Sequence, residues 1–164
     1  MKTLYLVRHG KSSWEEPGLS DQERPLTEKG IRKTDRIAEY LAGRNNKLDL
    51  IYCSPATRAK ETAKIIANKV GTPENKICFE RKIYDAYYDR ILDLIYAAPN
   101  DADSLMILGH NPTITQVANL FLNPGIELMP TSAVVCISFD CDKWENIPSA
   151  TPVQEFVVFP KMLK

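Results

Sequence analysis

The segment LYLVRHG, residues Leu4 to Gly10, decides the fold of this chain. Its first four residues form a short continuous apolar run, which is typical of a strand buried on both faces of a parallel sheet. The run then breaks into Arg8 and His9, two side chains that contribute little to a core. The chain contains only 2 histidines, so we expect the one that closes this strand to have a chemical role.

The hydrophobic period alternates between strand-like and helix-like segments along the rest of the chain. Further strands are predicted at LDLIYCSP (48–55), around 77–79, at SLMILGH (104–110), and at AVVCISFD (133–140) and EFVVF (155–159) as a hairpin with a polar loop around Trp144. Helices are predicted from Thr27 and over 54–71, 85–98 and 111–121. This alternation predicts an α/β fold of three layers, α/β/α, with a mainly parallel central sheet and right-handed crossovers. We interpret residues 1–164 as one domain.

Capping residues indicate where several helices begin and end. Ser54 is predicted as an N-cap with Pro55 in the first helical position, and Asn111 is predicted as a second N-cap. Thr27 is interpreted as a cap and Glu28 as a first-turn acid. The predicted helix ends are Gly43 with Asn45 and Asn46, Gly71, and Pro99.

Composition excludes several classes of partner. The chain is 44% hydrophobic and 26% charged, with a formal net charge of +0 and a pI near 6.7. Such a chain has no long-range attraction for nucleic acid or anionic lipid, so we expect neither partner. No segment resembles a signal peptide or a membrane span, which favours the cytoplasm. The 4 cysteines lack paired spacing, and Cys53, Cys78 and Cys136 lie in apolar runs and are interpreted as reduced core thiols. A metal site at Cys136 and Cys141 is the alternative.

Both histidines and two arginines are predicted at one edge of the sheet. Ligands of open α/β sheets bind beyond the carboxyl ends of the strands. The first strand ends in Arg8 and His9, the SLMILG strand ends in His110, and the helix after the second strand carries Arg58 in its first turns. A cation such as Arg58 near a helix N-terminus is disfavoured by the helix dipole. An anion bound there would be stabilised by the helix dipole and by the arginine together.

These four side chains suit a phosphoryl group. Two guanidinium groups offset the two negative charges of a phosphomonoester, a neutral imidazole can attack phosphorus, and a protonated one can stabilise charge. No metal or other cofactor is needed. Each residue also has a structural interpretation: a histidine at a strand end can be a hydrogen-bonded framework residue, and Arg58 can pair with a carboxylate such as Glu61.

Four motifs in these regions resemble the histidine phosphatase superfamily, which has the phosphoglycerate-mutase-like fold. They are LVRHGKS (6–12), RPLTEKG (24–30), SPATRAKETA (54–63) and LGHNP (108–112), and they run in family order from Thr3 to about Leu122. The resemblance implies that His9 is the nucleophile and forms a phosphohistidine intermediate. It also implies that Arg8, Arg58 and His110 bind the phosphoryl group. Ser12 is a candidate for the same pocket, with a solvated loop serine as the alternative.

The short chain, the run from 10 to 30 and the GHNP ending are similar to the bacterial phosphohistidine phosphatases of the SixA type. That group removes phosphate from histidine on signalling phosphotransfer proteins, which implies a phosphorylated protein as partner and a monomeric enzyme. Two alternatives stay open: a small-molecule phosphomonoesterase of the same mechanism, and a non-catalytic phosphate-binding module. Trp14 is followed by Glu15, an acid that would repel an anionic substrate, which counts against mutase activity.

The general acid is the least defined part of the predicted site. Many phosphatases of the superfamily use a carboxylate to protonate the leaving oxygen. The candidates here are Glu80, Asp85 and Asp89, and Asp85 is best placed, at the predicted strand-to-helix connection. Its alternative role is a helix N-cap or first-turn acid. The absence of a strong acid would fit a phosphoramidate substrate.

Overall fold

A six-stranded sheet forms the centre of the computed structural model, which describes residues 1–44, 47–85 and 87–163. Its strands are β1 (Lys2–Arg8), β2 (Leu50–Cys53), β3 (Ile77–Phe79), β4 (Ser104–Gly109), β5 (Val134–Phe139) and β6 (Pro152–Val158). Their order across the sheet is β3-β2-β4-β1-β5-β6. The first four are parallel to one another, and β5 is antiparallel to both β1 and β6. The predicted mainly parallel sheet and the C-terminal hairpin are confirmed.

Helices cover both faces of the sheet, which confirms the three-layer architecture. They are α1 (Glu28–Gly43), α2 (Thr57–Val70), α3 (Arg81–Asp85), α4 (Tyr88–Tyr96) and α5 (Thr113–Asn119). Buried residues of α1 and α2 pack on one face, and those of α3, α4 and α5 pack on the other. Among the described residues, no helix is both long enough and apolar enough to cross a membrane.

Strand β1 lies between two cores, which explains its continuous apolar run. Leu4 and Leu6 belong to the core beneath α3, α4 and α5, whereas Tyr5 and Val7 belong to the core beneath α1 and α2. All four side chains are buried. Because successive side chains of a strand point to opposite faces, a strand covered on both sides needs apolar residues at every position.

The single helix predicted over residues 85–98 is two helices in the structure. Asp85 ends α3, and α4 begins at Tyr88; Ala86 lies outside the described residues. Ile83 lies in a segment that the sequence suggested was a connection, yet its side chain is buried in the core. That burial explains why the chain becomes helical earlier than predicted.

Two predicted caps are wrong because tertiary partners engage their side chains. Helix α2 begins at Thr57 instead of Pro55, and the Ser54 hydroxyl lies 2.7 Å from Nε2 of His110. The Asn111 side chain donates from Nδ2 to the carbonyl oxygen of Met129 at 2.8 Å, and its Oδ1 accepts from the Thr115 hydroxyl instead of from a backbone N–H of α5.

The other predicted helix ends agree with the structure. Thr27 caps α1 by accepting from Gly30 N–H at 2.9 Å, and Glu28 is the acid of its first turn. Gly43 is the last residue of α1, and Gly71 ends α2 with a left-handed φ of 84°. Asn45 and Asn46, which were included in the predicted end of α1, lie outside the described residues.

The connection between β5 and β6 is packed against the core. It contains the 3₁₀ turn Trp144–Ser149, and the indole of Trp144 is fully buried. Its ring N–H donates to the carbonyl oxygen of Ala102 at 2.8 Å. The predicted polar connection is confirmed, because most of its residues are polar and exposed. Trp144 and Ile147 are the buried exceptions, and the indole with its satisfied N–H anchors the segment.

Candidate active site

Three parallel strands direct the predicted site residues to one edge of the sheet. His9 follows β1, Ser54 follows β2 and His110 follows β4. The centroids of the two imidazole rings are 4.9 Å apart. The expected convergence of both histidines at the carboxyl ends of the strands is what the structure shows.

His9 is held in one tautomer. Its Nδ1 lies 2.7 Å from the carbonyl oxygen of Gly10. A carbonyl only accepts hydrogen bonds, so the proton of the neutral ring is on Nδ1 and the lone pair is on Nε2. Arg58 donates from Nε to that Nε2 at 3.4 Å. The nitrogen that carries the lone pair therefore accepts a hydrogen bond from the guanidinium group.

The pKa of His9 is lowered from its usual value to about 4. Burial of the ring is the main cause, and the positive charges of Arg58, Arg8 and Arg24 lower the pKa further. The hydrogen bond to Gly10 acts in the opposite direction. His9 is consequently neutral at pH 7, as a nucleophilic imidazole must be.

Arg58 connects both histidines to the loop that precedes α1. It is buried, its Nη1 donates to the backbone oxygen of Asp21 at 2.6 Å, and its Nη2 donates to the Asp21 carboxylate at 3.0 Å. Nη2 also lies 3.5 Å from Nδ1 of His110. The carboxylate partner of Arg58 is therefore Asp21. Glu61, the suggested partner, instead accepts from the backbone N–H of Leu26 at 2.9 Å.

His110 is also neutral in this environment. Burial lowers its pKa to about 3, with further contributions from His9 and Arg58. Its Nε2 lies 2.7 Å from the hydroxyl of Ser54. The sequence suggested that one imidazole would be protonated, but the two rings and Arg58 lie too close together for that. A bound dianion would raise this pKa, because an opposite charge favours the protonated ring.

Arg8 offers a donor to the pocket. Its Nη1 donates to the carbonyl oxygen of Met129 at 2.9 Å. Its Nε is buried and has no hydrogen-bond partner among the described residues. A buried guanidinium N–H without a partner is unfavourable, and an oxyanion in the pocket would satisfy it.

Asp21 is a central residue of the site that the sequence did not reveal. One carboxylate oxygen accepts from Arg24, at 3.2 Å from Nε and 2.9 Å from Nη2. The other accepts from Arg58 at 3.0 Å and from the hydroxyl of Tyr84 at 2.7 Å. Hydrogen bonds from Tyr84, Arg24 and Arg58 lower the pKa of Asp21. Its only sequence signal was its position in the polar stretch 11–25, long enough for a functional loop.

Arg24 is a third arginine of the pocket. Its side chain is buried, and its Nη1 donates to the hydroxyl of Ser12 at 2.7 Å. Its guanidinium carbon lies 3.5 Å from the ring centroid of Trp14. Arg24 opens the RPLTEKG motif, but the motif alone gave it no role. Ser12, a sequence candidate, lies in the pocket wall and orients this arginine.

The pocket has a volume of about 370 Å³ and is strongly basic. Its lining residues are Arg8, His9, Lys11, Ser12, Trp14, Arg24, Arg58, His110, Asn111 and Thr131. In the part of the chain that the structure describes, no carboxylate lines it. Asp85 accepts from Nε of Arg81 at 2.8 Å on the exposed side of α3, so the structure does not bring it into the pocket. Glu80 and Asp89 are also outside the lining.

Comparisons with known proteins agree with this architecture. The model of the histidine phosphatase superfamily (branch 1) matches residues 4–78. An uncharacterised chloroplast protein of Arabidopsis thaliana is 29% identical over 154 residues, which cover 88% of this chain and 70% of that protein. Among solved structures, a protein described as the phosphohistidine phosphatase SixA of Agrobacterium tumefaciens is 26% identical, with a TM-score of 0.81 over 97% of this chain and 98% of that one.

A second solved structure, the protein histidine phosphatase SixA complexed with tungstate, has a TM-score of 0.83 at 21% identity and covers 99% of both chains. The fold of this chain, with two paired histidines at one edge of its sheet, is of the phosphoglycerate-mutase-like class. The chain is similar to the histidine phosphatase superfamily over residues 4–78, and its structure is similar to those of the SixA type.

Proposed function

We propose that the chain hydrolyses phosphohistidine on a protein by two phosphoryl transfers through His9. The observation that carries this proposal is the position of the lone pair of His9, which the hydrogen bond from Nδ1 to Gly10 fixes on Nε2. That nitrogen lies at the pocket, in contact with Arg58. A neutral, oriented imidazole beside a guanidinium group is the arrangement that nucleophilic attack on phosphorus needs.

In the first transfer, Nε2 of His9 forms a bond to phosphorus while the bond from phosphorus to the substrate nitrogen breaks. The electron pair of the broken bond stays on the leaving imidazole, which binds a proton. Arg8 and Arg58 hold the phosphoryl oxygens by their N–H groups, and His110 contacts the same oxygens. Donors fixed in a buried site before reaction stabilise the charge that develops there.

In the second transfer, a water oxygen forms a bond to phosphorus while the bond from phosphorus to Nε2 breaks. His9 recovers its lone pair, the water proton passes to solvent, and inorganic phosphate leaves. The proposal assigns no step to a metal or other cofactor. The same basic residues serve both transfers, because each one passes through a similar arrangement of phosphoryl oxygens.

The composition of the pocket lining supports phosphohistidine over a phosphate ester. An alkoxide leaving group needs an acid to protonate it, and no carboxylate lines the pocket among the described residues. Asp21, which contacts the pocket arginines, stays ionised because hydrogen bonds from Tyr84, Arg24 and Arg58 lower its pKa. An imidazole leaves as a neutral molecule once its second nitrogen is protonated. The acid role of Asp85 stays a prediction, and its ion pair with Arg81 does not support it.

The names of the similar solved structures point in the same direction. Both are described as SixA histidine phosphatases, one of them in complex with tungstate. For this chain, we infer that a phosphotransfer-type protein carries the substrate. We also infer that a tetrahedral oxyanion binds between Arg8, Arg58 and the two imidazoles.

A substrate panel tests the proposal. Phosphate release is measured for a phosphorylated histidine-phosphotransfer protein, free phosphohistidine, p-nitrophenyl phosphate, sugar phosphates and nucleotides, each with His9→Ala as the control. We expect the highest kcat/KM for the two phosphohistidine substrates and competitive inhibition by tungstate or vanadate. A strong preference for a sugar phosphate or a nucleotide would indicate a small-molecule phosphomonoesterase. Binding without phosphate release would indicate a binding module.

A further inference from the structure

Trp14 lies at the entrance to the pocket with most of its indole exposed. Its exposed fraction is 78%, whereas the other tryptophan, Trp144, is fully buried. An exposed indole is uncommon, since tryptophan normally buries a large apolar surface. Trp14 is also one of the residues that line the pocket. It is therefore available to a molecule that enters the site.

Arg24 fixes one face of this indole. The guanidinium carbon lies 3.5 Å from the ring centroid, so the two planar groups are in contact. Arg24 is itself only 8% exposed, and Asp21 and Ser12 hold its N–H groups. The covered face of Trp14 rests on a fixed support, and the opposite face is open.

The pocket has more room than a phosphoryl group needs. Its volume is about 370 Å³, which corresponds to roughly twelve water molecules at about 30 Å³ each. A tetrahedral phosphoryl group bound between Arg8, Arg58 and the imidazoles fills only part of that volume. Trp14 and Arg24 also line this pocket, so the group attached to phosphorus can lie against them.

We propose that Trp14, supported by Arg24, forms a leaving-group subsite that binds a planar aromatic ring attached to the phosphoryl group. This inference rests on the proposed function and specifies its substrate class: N-phosphorylated imidazoles and aryl phosphates. A flat ring stacks on the open indole face, whereas a saturated sugar or a bare amine has no π-face to offer. Because Arg24 is held by Asp21 and Ser12, the stacking surface is already in place when the substrate binds.

The test compares substrates with and without a ring in matched variants. Values of kcat/KM are measured for free phosphohistidine, p-nitrophenyl phosphate and ringless phosphoramidate in the wild type, Trp14→Ala and Trp14→Phe. We expect Trp14→Ala to lower kcat/KM for the two ring substrates by about threefold to tenfold, the size of one aromatic contact. Phosphoramidate should change less than about twofold, and Trp14→Phe should retain most of the preference.

Tyr87→Ala is the matched control. Tyr87 is another exposed aromatic side chain, at 82%, but it does not line the pocket. Its removal should leave all three values unchanged. Equal loss for ring and ringless substrates in Trp14→Ala, or no loss for any substrate, would overturn the subsite.

A binding measurement makes the test independent of turnover. In His9→Ala, phenyl phosphate should shift the fluorescence emission of Trp14, phosphoramidate should not, and the shift should vanish when Trp14→Phe is added. No shift with phenyl phosphate at saturation would contradict the subsite. If the wild type hydrolyses p-nitrophenyl phosphate in a Trp14-dependent way but ignores phosphohistidine, the proposed function fails while the subsite stands.

Discussion

Nε of Arg58 lies 3.4 Å from Nε2 of His9, so the nucleophilic nitrogen is in direct contact with a cation. The opposite edge of the same guanidinium group is bound by the backbone and carboxylate oxygens of Asp21. Its Nη2 also reaches His110 at 3.5 Å. The orientation of Arg58 is thus fixed from three sides, and this one side chain connects all parts of the site.

Replacing Arg58 by alanine should lower kcat/KM by about 10²–10³-fold, the effect of losing one preorganised donor to a developing oxyanion. Lysine should restore only part of the loss, because it supplies the charge without the planar pair of donors. The matched control is Arg81→Ala, which removes an exposed arginine paired with Asp85. A drop of less than about fivefold for Arg58→Ala would show that Arg58 does not act on the reacting phosphoryl group.

The two histidines should remain neutral well below the usual histidine pKa. The chain has only 2 histidines, so NMR titration of the ring signals, assigned with His9→Asn, resolves each one. We expect pKa values near 4 for His9 and near 3 for His110, since burial and neighbouring cations oppose protonation. Titration of either ring near pH 6.5 would contradict the geometry of the site.

The same depressed pKa values give a stability prediction. In the unfolded chain the imidazoles bind protons near pH 6.5, whereas in the folded chain they do so only near pH 4 and pH 3. Between these limits the unfolded state binds more protons, so the free energy of unfolding should fall as the pH drops from about 6.5 toward 3. Urea unfolding at several pH values measures the free energy of unfolding. Its decrease toward low pH should be smaller in His110→Phe, which lacks one of the two imidazoles.

Ser54 should act as a positioning residue for His110. Its buried hydroxyl lies 2.7 Å from Nε2 of that ring and also accepts from Ala56 N–H. Ser54→Ala removes the hydrogen bond and should lower kcat by about fivefold to tenfold while changing the Nε2 chemical shift of His110. Ser13→Ala, in the exposed loop, is the control. An unchanged imidazole spectrum would show that Ser54 does not orient the ring.

Gly30 should be intolerant of a methyl group even though it lies in a helix. A Cβ atom at this position would lie 2.3 Å from the backbone oxygen of Lys11. Alanine favours helix by about 1 kcal/mol over glycine, but here it would push α1 away from the segment that follows His9. We expect Gly30→Ala to lower both the melting temperature and kcat/KM.

Gly43→Ala is the matched control for that substitution. Gly43 is the last residue of the same helix, and a Cβ there meets nothing within 4 Å. The variant should be as stable as the wild type or more so. If both glycine variants behave alike, the close approach of α1 to Lys11 has no energetic consequence.

The parts of the fold that follow from local periodicity could be predicted from the sequence. The apolar run from Leu4 to Val7 predicts a strand that is buried on both faces. His9 and His110 each follow a parallel strand, which predicts that both histidines lie at one edge of the sheet. These inferences need only the alternation of elements and the rule for parallel sheets.

The parts that depend on distant contacts could not be predicted. Asp21 contacts Arg58 across 37 residues of chain and Tyr84 across 63, and no local pattern encodes such a contact. Ser54 was predicted as a helix cap because Pro55 and a helical pattern follow it. In the structure its hydroxyl lies next to His110, which is 56 residues away along the chain. The polar residues around Trp144 gave no sign that its indole is buried, because that burial depends on the core beneath it.

The most direct test is to trap the phosphorylated enzyme by rapid quench with a ³²P-labelled phosphodonor, followed by peptide mapping. We expect label that is stable in base and labile in acid, carried by Nε2 of His9 and absent from His9→Ala. His110→Ala should still carry label on His9, since His110 binds the phosphoryl group without accepting it. Label on any other residue, or label that persists in His9→Ala, would contradict the account.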